Sequence, residues 1–432
     1  MPELHRPGQR LAIIGTGISG LLAAHLLARR HSVTVFEAAD RLGGHTNTVE
    51  VELGGATWPV DTGFIVYNDW TYPNFIRLLE LLEVAWKPSD MSFSVRNELT
   101  GLEYNGTSLN ALFAQRTNLF RPSFIGMVRE ILRFGREAPA LLDGPDTVAT
   151  GPGPTLGEYL ERGGYREPFV RDYILPMGAA IWSASRSQML AFPARYFVRF
   201  FANHGFLNVD DRPVWRVVCG GSSSYLEPIS RPFRDGLRLS TPVEAVRRDA
   251  EGVDVKPRGG EWERFDGVVI ACHSDQALAL LADPSEAERQ VLGAIPYQRN
   301  EAILHTDSSI IPRKRLAWAA WNYHLTDRGV GHSDAPVAVS YWMNRLQSLD
   351  APEDFLVTLN RDEHIDPARV LRRIEYHHPV YTHAGVQAQG RWDEVSGPRR
   401  TWYCGAYWFH GFHEDGVRSA LRVGRAFGEE LG

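Results

Sequence analysis

The chain has 432 residues, of which 44% are hydrophobic and 23% are charged, a balance typical of a globular protein with room for two domains. Its formal net charge of −6 disfavours nucleic acid as a partner, because a nucleic-acid surface is usually basic. No apolar run is long enough to span a membrane and the first nine residues lack a signal-peptide core, so we expect a cytoplasmic protein.

The cysteines indicate no cross-linked or metal-bound framework. There are three, Cys219, Cys272 and Cys404, and they are widely spaced without a C-x-x-C pair. An odd number of cysteines with this spacing predicts neither a disulfide set nor a zinc site, so we predict no metal.

The segment from Arg10 to Glu37 predicts a strand, a glycine turn, a helix and a second strand that ends in an acid. In this arrangement the first glycine allows a tight turn, the second lets N–H groups approach a pyrophosphate, and the third lets the helix pack on its strand. The helix N-terminus favours phosphate, and the acid accepts hydrogen bonds from a ribose. The predicted contacts with a dinucleotide are Gly15, Gly17, Ser19, Gly20 and Glu37.

Two motifs that follow resemble those of the flavin amine oxidase and phytoene desaturase superfamily. They are an R-x-G-G loop and a D-x-G turn, formed by Arg41, Gly43, Gly44, Asp61, Thr62 and Gly63. The resemblance implies that the loop, with His45 beside it, lies against the FAD diphosphate and that the turn lies near the flavin. Paired glycines expose N–H groups to an anion and an arginine balances its charge. A solvated loop arginine and an ordinary turn aspartate are the alternatives.

The resemblance also implies an α/β FAD-binding domain of Rossmann type with an inserted α+β substrate domain. We assign residues 1–84, 213–290 and 391–432 to the FAD domain, and residues 85–212 and 291–390 to the substrate domain. The first insert is aromatic-rich, with a predicted flexible loop at residues 143–154. The second insert alternates like strands, and we expect an antiparallel sheet over the flavin.

Three later segments match cofactor contacts of the superfamily. Residues 214–221 predict a return strand and a glycine pair that opens a helix, and Val243 matches the residue whose backbone contacts adenine. Residues 265–273 predict another buried strand. The closing motif follows Gly405 and places a helix N-terminus against the flavin. Its residues are Glu414, Asp415, Gly416 and Val417. Asp415 stands where the family often has glycine, and Phe412 where amine oxidases usually have a cage tyrosine.

Two observations direct the expected chemistry away from amines. Many amine-oxidising members use a lysine that holds a water at the flavin, and none of Lys87, Lys256 and Lys314 is an obvious match. In addition, residues 176–184, 376–381 and 404–421 resemble a bacterial branch of the superfamily linked to methylated or cyclopropane fatty acids.

The first insert supplies an apolar lining that suits a hydrocarbon better than a charged amine. The candidates are Met177, Ile181, Trp182, Phe192, Tyr196, Phe197, Phe200, Phe201 and Phe206, with plain core packing as the alternative. Because Arg195 and Arg199 interleave with these aromatics, the stretch also suits peripheral docking on an anionic membrane, with an amphipathic core helix as the alternative.

Dehydrogenation of an acyl chain needs a base for one proton, unless a double bond already activates the allylic C–H. The catalytic candidates are His378, His410 and Tyr407, and His45 and His413 are further histidines near the flavin by resemblance. A histidine bonded to backbone is the alternative, and Tyr407 also suits a pocket wall. Cys404 does not match the family's flavin-linking motif, so FAD is expected to be non-covalent.

We therefore expect a FAD-dependent oxidoreductase that dehydrogenates an apolar acyl-lipid by hydride transfer to flavin N5, with contact to the membrane surface. An amine oxidase, a redox-neutral double-bond isomerase and a flavin-binding scaffold are the alternatives. The electron acceptor and the oligomeric state stay open.

Overall fold

The computed structural model describes residues 6–143, 153–208, 211–326 and 337–432, so most of the predicted loop at 143–154 lies outside the described residues. The strands are β1 (Arg10–Ile14), β2 (Ser32–Phe36), β3 (Thr48–Leu53), β4 (Ala56–Asp61), β5 (Tyr67–Asn68), β6 (Trp86–Pro88), β7 (Phe93–Asn97), β8 (Leu102–Asn105), β9 (Trp215–Val218), β10 (Leu237–Arg238), β11 (Val243–Arg248), β12 (Val253–Pro257), β13 (Glu263–Phe265), β14 (Gly267–Ile270), β15 (Tyr297–His305), β16 (Trp321–Leu325), β17 (Ala338–Trp342), β18 (Leu356–Leu359), β19 (Val370–Pro379) and β20 (Thr401–Tyr403).

The α-helices of the described residues are α1 (Ile18–Leu27), α2 (Pro73–Leu81), α3 (Leu109–Leu112), α4 (Pro122–Glu137), α5 (Leu156–Arg162), α6 (Glu167–Phe169), α7 (Leu175–Trp182), α8 (Arg186–Ala191), α9 (Ala194–Asn203), α10 (Leu226–Ser230), α11 (Ser274–Leu280), α12 (Glu286–Leu292), α13 (Met343–Leu346), α14 (His383–Gln389), α15 (Trp392–Val395) and α16 (His413–Ala426). Within these residues no helix combines the length and the apolar character that a membrane span requires.

A five-stranded parallel sheet forms the first layer, in the order β10-β2-β1-β14-β20. The residues Leu11, Ala12 and Ile13 of β1 are fully buried, as expected where a parallel sheet is covered on both faces. Helices α1 and α16 pack against each other in the same core. The chain leaves β1 toward β2 on one side and returns as β14 on the other, which creates the crevice where such sheets bind ligands. The predicted Rossmann-type domain is therefore confirmed.

A seven-stranded sheet forms the second layer, in the order β19-β15-β18-β17-β16-β7-β8. Its neighbouring strands are antiparallel except that β16 pairs with β7 in parallel. The predicted antiparallel sheet is thus a mixed one, because strands β7 and β8 of the first insert extend the strands of the second. The exact domain boundaries stay a prediction.

The helices of the first insert bury their aromatic side chains against β7 and β8. In α9 the side chains of Phe197, Phe200 and Phe201 are buried, and Arg195 donates hydrogen bonds to the carbonyls of Leu141 and Leu142. This helix is an amphipathic core helix and does not present its aromatics to a membrane. Of the two interpretations given for this stretch, the structure supports the amphipathic core helix.

The predicted return strand is present as β9. It pairs with β5 and β6 in a small antiparallel sheet and not with the parallel strands. The glycine pair that follows does open a helical turn, the 3₁₀ segment Ser222–Tyr225. A Cβ at Gly221, where φ is +92°, would lie 2.5 Å from Thr48 Cγ2, so β3 packs closely against this turn.

Candidate active site

A cavity of about 840 Å³ lies between the two main sheets, a size sufficient for a cofactor and part of a substrate. One end is lined by the loops at the carboxyl ends of β1, β2 and β14. The other end is lined by residues of β16, β17 and β18 and by α7 and α9. The cavity therefore starts at the crevice of the parallel sheet and reaches into the inserted domain.

The three glycines after β1 have different structural roles. Gly15 has φ +101°, and a Cβ there would lie 3.1 Å from the backbone of Ala271, so this turn requires glycine. A Cβ at Gly20 would lie 2.0 Å from the carbonyl oxygen of Gly15, so glycine lets α1 pack against the turn. A Cβ at Gly17 would meet nothing within 4 Å, and Gly17 lines the cavity beside Ser19. Contact of Gly17 with a pyrophosphate stays a prediction.

The acid at the end of β2 is fixed by the glycine loop. The Glu37 carboxylate accepts hydrogen bonds from the backbone N–H of Thr16 at 2.9 Å and of Ala39 at 2.8 Å, and also from the Thr16 hydroxyl. These bonds hold it at the cavity wall, where Val243 and Arg258 also lie. Contact of Glu37 with a ribose and of Val243 with adenine stays a prediction.

A second glycine loop packs against the first. A Cβ at Gly44, where φ is +56°, would lie 3.2 Å from the Cα of Gly17, so the two loops touch. The Arg41 guanidinium donates to the carbonyls of Gly44 at 2.9 Å and of Leu42 and Thr46 at 3.2 Å. The loop residues Gly43, Gly44 and His45 line the cavity, whereas Arg41 shapes the loop from behind. Its contact with a diphosphate stays a prediction.

The residues of the D-x-G turn have two different roles, since some line the cavity and one joins structural elements. Thr62 and Gly63 line the cavity, but Asp61 does not. The buried Asp61 carboxylate accepts from the Thr48 hydroxyl at 2.6 Å and from the Ser222 N–H and hydroxyl at 2.8 Å. Burial raises the pKa of Asp61 to about 6, although these hydrogen bonds oppose the shift. Asp61 therefore joins the β3–β4 hairpin to the glycine-pair turn.

The side chains at the start of α16 tie this helix to its neighbours. The Glu414 carboxylate accepts from the backbone N–H of Phe75 at 2.9 Å, at the start of α2. A Cβ at Gly416 would lie 2.6 Å from Ile18 Cγ2, so α16 crosses α1 closely. Asp415 accepts from the N–H of Phe412 at 3.0 Å, and burial raises its pKa to about 7.

The cavity wall in this last segment is made by other residues, which are Gly405, Ala406, Tyr407, His410, Gly411, Phe412 and His413. Glu414, Asp415, Gly416 and Val417 are not among the residues that line the cavity, whereas the closing motif predicts that they contact the flavin. That contact stays a prediction.

Comparison with known proteins identifies the family to which the chain belongs. A family model described as flavin containing amine oxidoreductase matches residues 18–344. The chain belongs to this family. The family is one of flavin-containing oxidoreductases, and FAD is the non-covalent cofactor of the chain. The open Cβ position at Gly17, the touching glycine loops and the acid at Glu37 fit this dinucleotide. Cys404 is fully buried outside the cavity lining, consistent with a non-covalent cofactor.

Solved structures share the fold of the chain over nearly its whole length. Cyclohexylamine oxidase from Brevibacterium oxydans IH-35A is 18% identical with a TM-score of 0.69, over 98% of this chain and 99% of that chain. The CLA-producing fatty acid isomerase from P. acnes is 15% identical with a TM-score of 0.68, over 97% and 99%. At these identities the likeness shows the fold alone.

A curated relative is more similar in sequence but longer. The L-amino-acid oxidase of Pseudechis australis is 43% identical over 373 residues, which cover 78% of this chain and 63% of that protein. The chain thus spans less than two thirds of the curated relatives it matches.

The end of the cavity that lies in the inserted domain is apolar and aromatic. Of the predicted lining, Ile181, Trp182, Phe200 and Phe206 contribute to it. The remaining candidates, Met177, Phe192, Tyr196, Phe197 and Phe201, pack in the core of the first insert and are not part of the lining. Helix periodicity identified apolar faces but not which of them the cavity would touch.

The sequence did not identify the opposite wall. It is formed by Phe64, Met91, Trp215, Trp321, Tyr341, Leu359, Tyr376 and Tyr381. Alternation in the second insert predicted strands, yet the choice of cavity face depends on the pairing of β16 with β7, which joins distant parts of the chain.

His378 is oriented by a chain of amides. The backbone N–H of Glu301 donates to Asn360 Oδ1 at 2.9 Å, and Asn360 Nδ2 donates to Asn300 Oδ1 at 2.8 Å. Asn300 Nδ2 then donates to His378 Nδ1 at 2.9 Å. This order makes Nδ1 an acceptor, so the neutral ring carries its proton on Nε2. Burial lowers the pKa of His378 to about 4.

His410 lies in a separate aromatic cluster. Its ring centroid is 4.1 Å from Tyr196 and 5.7 Å from Phe200. Burial, followed by the nearby His204, Arg418 and Arg199, lowers the pKa of His410 to about 3. Its buried Nδ1 has no hydrogen-bond partner within the described residues. His410 is thus a neutral imidazole with a free ring nitrogen.

Tyr407 is a cavity wall that keeps its proton. Its buried hydroxyl has no partner among the described residues, and burial raises its pKa well above the ordinary value. The other two histidines of interest are fixed in the wall as well. His413 stacks on Phe64 at 3.7 Å and pairs with the Tyr225 hydroxyl at 2.7 Å, and His45 lies 5.3 Å from the His378 ring.

Proposed function

We propose that this flavin amine oxidoreductase family member dehydrogenates an apolar acyl-lipid and not an amine. The proposal rests on the charge of the cavity lining. Among the described residues that line the cavity, Glu37 is the one carboxylate and Arg258 the one arginine or lysine, and both lie at the nucleotide end. The substrate end therefore offers a hydrocarbon an uncharged surface and offers an ammonium group no counter-charge.

Three histidines of the lining do not supply charge either. Burial lowers the pKa of His378 to about 4 and of His410 and His413 to about 3, so all three are neutral near pH 7. A substrate carboxylate or ammonium would be desolvated here without an ionic partner. A long acyl chain packed on the aromatic walls has no such cost.

The proton roles follow from the ring nitrogens. FAD, when bound, supplies the acceptor for a hydride. His410, a neutral imidazole in the cavity lining, is the proposed acceptor of the proton from the adjacent carbon. His378 presents Nε2–H and is suited to donate a hydrogen bond, because its Nδ1 is engaged by Asn300.

A redox-neutral double-bond isomerase is the second candidate, since the P. acnes protein of the same fold is a fatty acid isomerase. Both reactions begin with removal of hydrogen from an acyl chain, so the same apolar cavity serves either. An amine or amino-acid oxidase is supported by the cyclohexylamine and L-amino-acid oxidase relatives but lacks a charge partner in the described lining.

The test is anaerobic flavin absorbance during addition of phospholipids with unsaturated or methyl-branched acyl chains, with a panel of amines in parallel. We expect the lipids, and not the amines, to bleach the oxidised flavin band, and mass spectrometry to show loss of two hydrogens. Bleaching by amines alone would overturn the proposal in favour of an oxidase. A shifted double bond without bleaching would favour the isomerase.

A further inference from the structure

One surface of the inserted domain combines exposed apolar side chains with cations. We call it the docking face, and its residues are Leu109, Arg116, Leu119, Phe120, Arg121, Arg313, Lys314, Arg315 and Leu316. Phe120 is 87% exposed and Leu109 is 77% exposed, while Leu119 and Leu316 are 49% and 43% exposed. A large aromatic side chain this open to water has no role in the packing of the fold.

The two parts of the docking face are adjacent although they are far apart in sequence. The 3₁₀ turn Arg315–Ala317 packs against α3, which begins at Leu109. The buried Glu103 carboxylate accepts from the backbone N–H of Arg313 at 2.9 Å and of Lys314 at 3.1 Å. The N–H of Glu103 in turn binds Gln115 Oε1 at 3.0 Å, next to Arg116. A single acid therefore fixes both segments in one surface.

The charge of this face is opposite to that of the whole chain. It carries five cations, whereas the formal net charge of the chain is −6. Arg315 pairs with Asp354 at 3.4 Å, but no described carboxylate forms an ion pair with Arg116, Arg121, Arg313 or Lys314. The Arg116 guanidinium binds Asn110 and the Phe113 carbonyl instead, which holds its charge at the surface.

We infer that the docking face binds the surface of an anionic membrane. Aromatic and leucine side chains enter the boundary between headgroups and acyl chains, while arginine and lysine remain with the anionic phosphates. A second copy of the chain is a poorer occupant, because a two-fold contact through this face would bring its cations together. The inference goes beyond the proposed function, since membrane binding is measured without turnover.

The experiment is flotation of the FAD-loaded protein with vesicles of phosphatidylcholine alone or mixed with phosphatidylglycerol. We expect binding to the mixed vesicles that weakens with salt, and little binding to phosphatidylcholine. Phe120→Ser should reduce the partition coefficient by about tenfold. The double variant Arg313→Gln/Lys314→Gln should reduce it by about 30-fold at low salt.

Matched variants elsewhere on the surface serve as controls. Leu371→Ser removes an apolar side chain that is 43% exposed, and Arg289→Gln/Arg372→Gln removes two exposed cations. Both should bind vesicles like the native protein, and all variants should keep the native flavin spectrum. Failure of the native protein to float, or equal loss in the controls, would overturn the inference. So would self-association that Phe120→Ser abolishes in the absence of vesicle binding.

Discussion

The two glycines that flank the start of α1 predict opposite effects of the same substitution. Gly17 has a φ of −60°, which alanine adopts, and its Cβ position is open to the cavity. Gly17→Ala should therefore change the unfolding free energy of the apoprotein by no more than about 1 kcal/mol, since lost N-cap preference and reduced chain entropy oppose each other. The new methyl group occupies space next to the predicted pyrophosphate. Loss of one charge-assisted hydrogen bond there should weaken FAD binding about 10- to 100-fold.

Gly20→Ala is the matched comparison in the same loop. Its Cβ would lie 2.0 Å from the Gly15 carbonyl oxygen, a rigid backbone atom, so α1 must move away from the turn. Overpacking of this kind costs about 1 to 3 kcal/mol of stability. Urea unfolding of the apoproteins and titration with FAD by fluorescence quenching separate the two effects. Equal FAD affinity in Gly17→Ala and the native protein would refute the assignment of the cavity at Gly17 to the cofactor.

Two further predictions concern buried histidines. Stability should fall as pH decreases from 6.5 toward 4, because the unfolded state binds protons that the buried rings in the folded state do not. The rings with folded pKa near 4 or 3 are His204, His305, His378, His410 and His413. At pH 5 the low pKa of each of these rings costs about 2 kcal/mol of stability, and protonation of the buried Asp61 and Asp415 contributes about 4 kcal/mol in all. The loss from these seven groups together is therefore about 6 kcal/mol relative to pH 8. Melting temperature against pH checks this, and a flat profile between pH 5 and 7 would contradict it. His410→Gln should lower kcat with the lipid substrate by about 10²- to 10⁴-fold without changing the flavin spectrum. His31→Gln, in a buried histidine next to Phe427, is the control and should keep the native kcat.

The nucleotide half of the site follows from the sequence because its geometry is local. The turn at Gly15, the packing at Gly20 and the acid at Glu37 all lie within one strand–helix–strand unit, and their spacing alone specifies which backbone atoms approach each other. The parallel sheet follows in the same way, since a buried strand on either side of a helix has few alternative pairings.

The substrate half depends on contacts between distant segments, which periodicity does not report. Strand β7 of the first insert pairs with β16 of the second, and this pairing decides that Trp321 lies at the cavity wall. Similarly, Phe197 and Phe200 are both buried in α9, yet Phe200 alone lines the cavity. An apolar pattern specifies a buried face but not whether protein or ligand covers it.

The acidic residues of the family motifs show a second limit of prediction from sequence. Asp61 and Glu414 stand in motifs that the family places near the flavin, yet both carboxylates bind protein N–H and hydroxyl groups away from the cavity. A buried carboxylate is stable only when it is hydrogen-bonded, so each acid fixes a junction between elements. The cavity between those junctions is left to neutral histidines and aromatic rings. Ionic groups thus position the walls of this site while apolar groups form them, which is the arrangement we expect for the hydrocarbon substrate we propose.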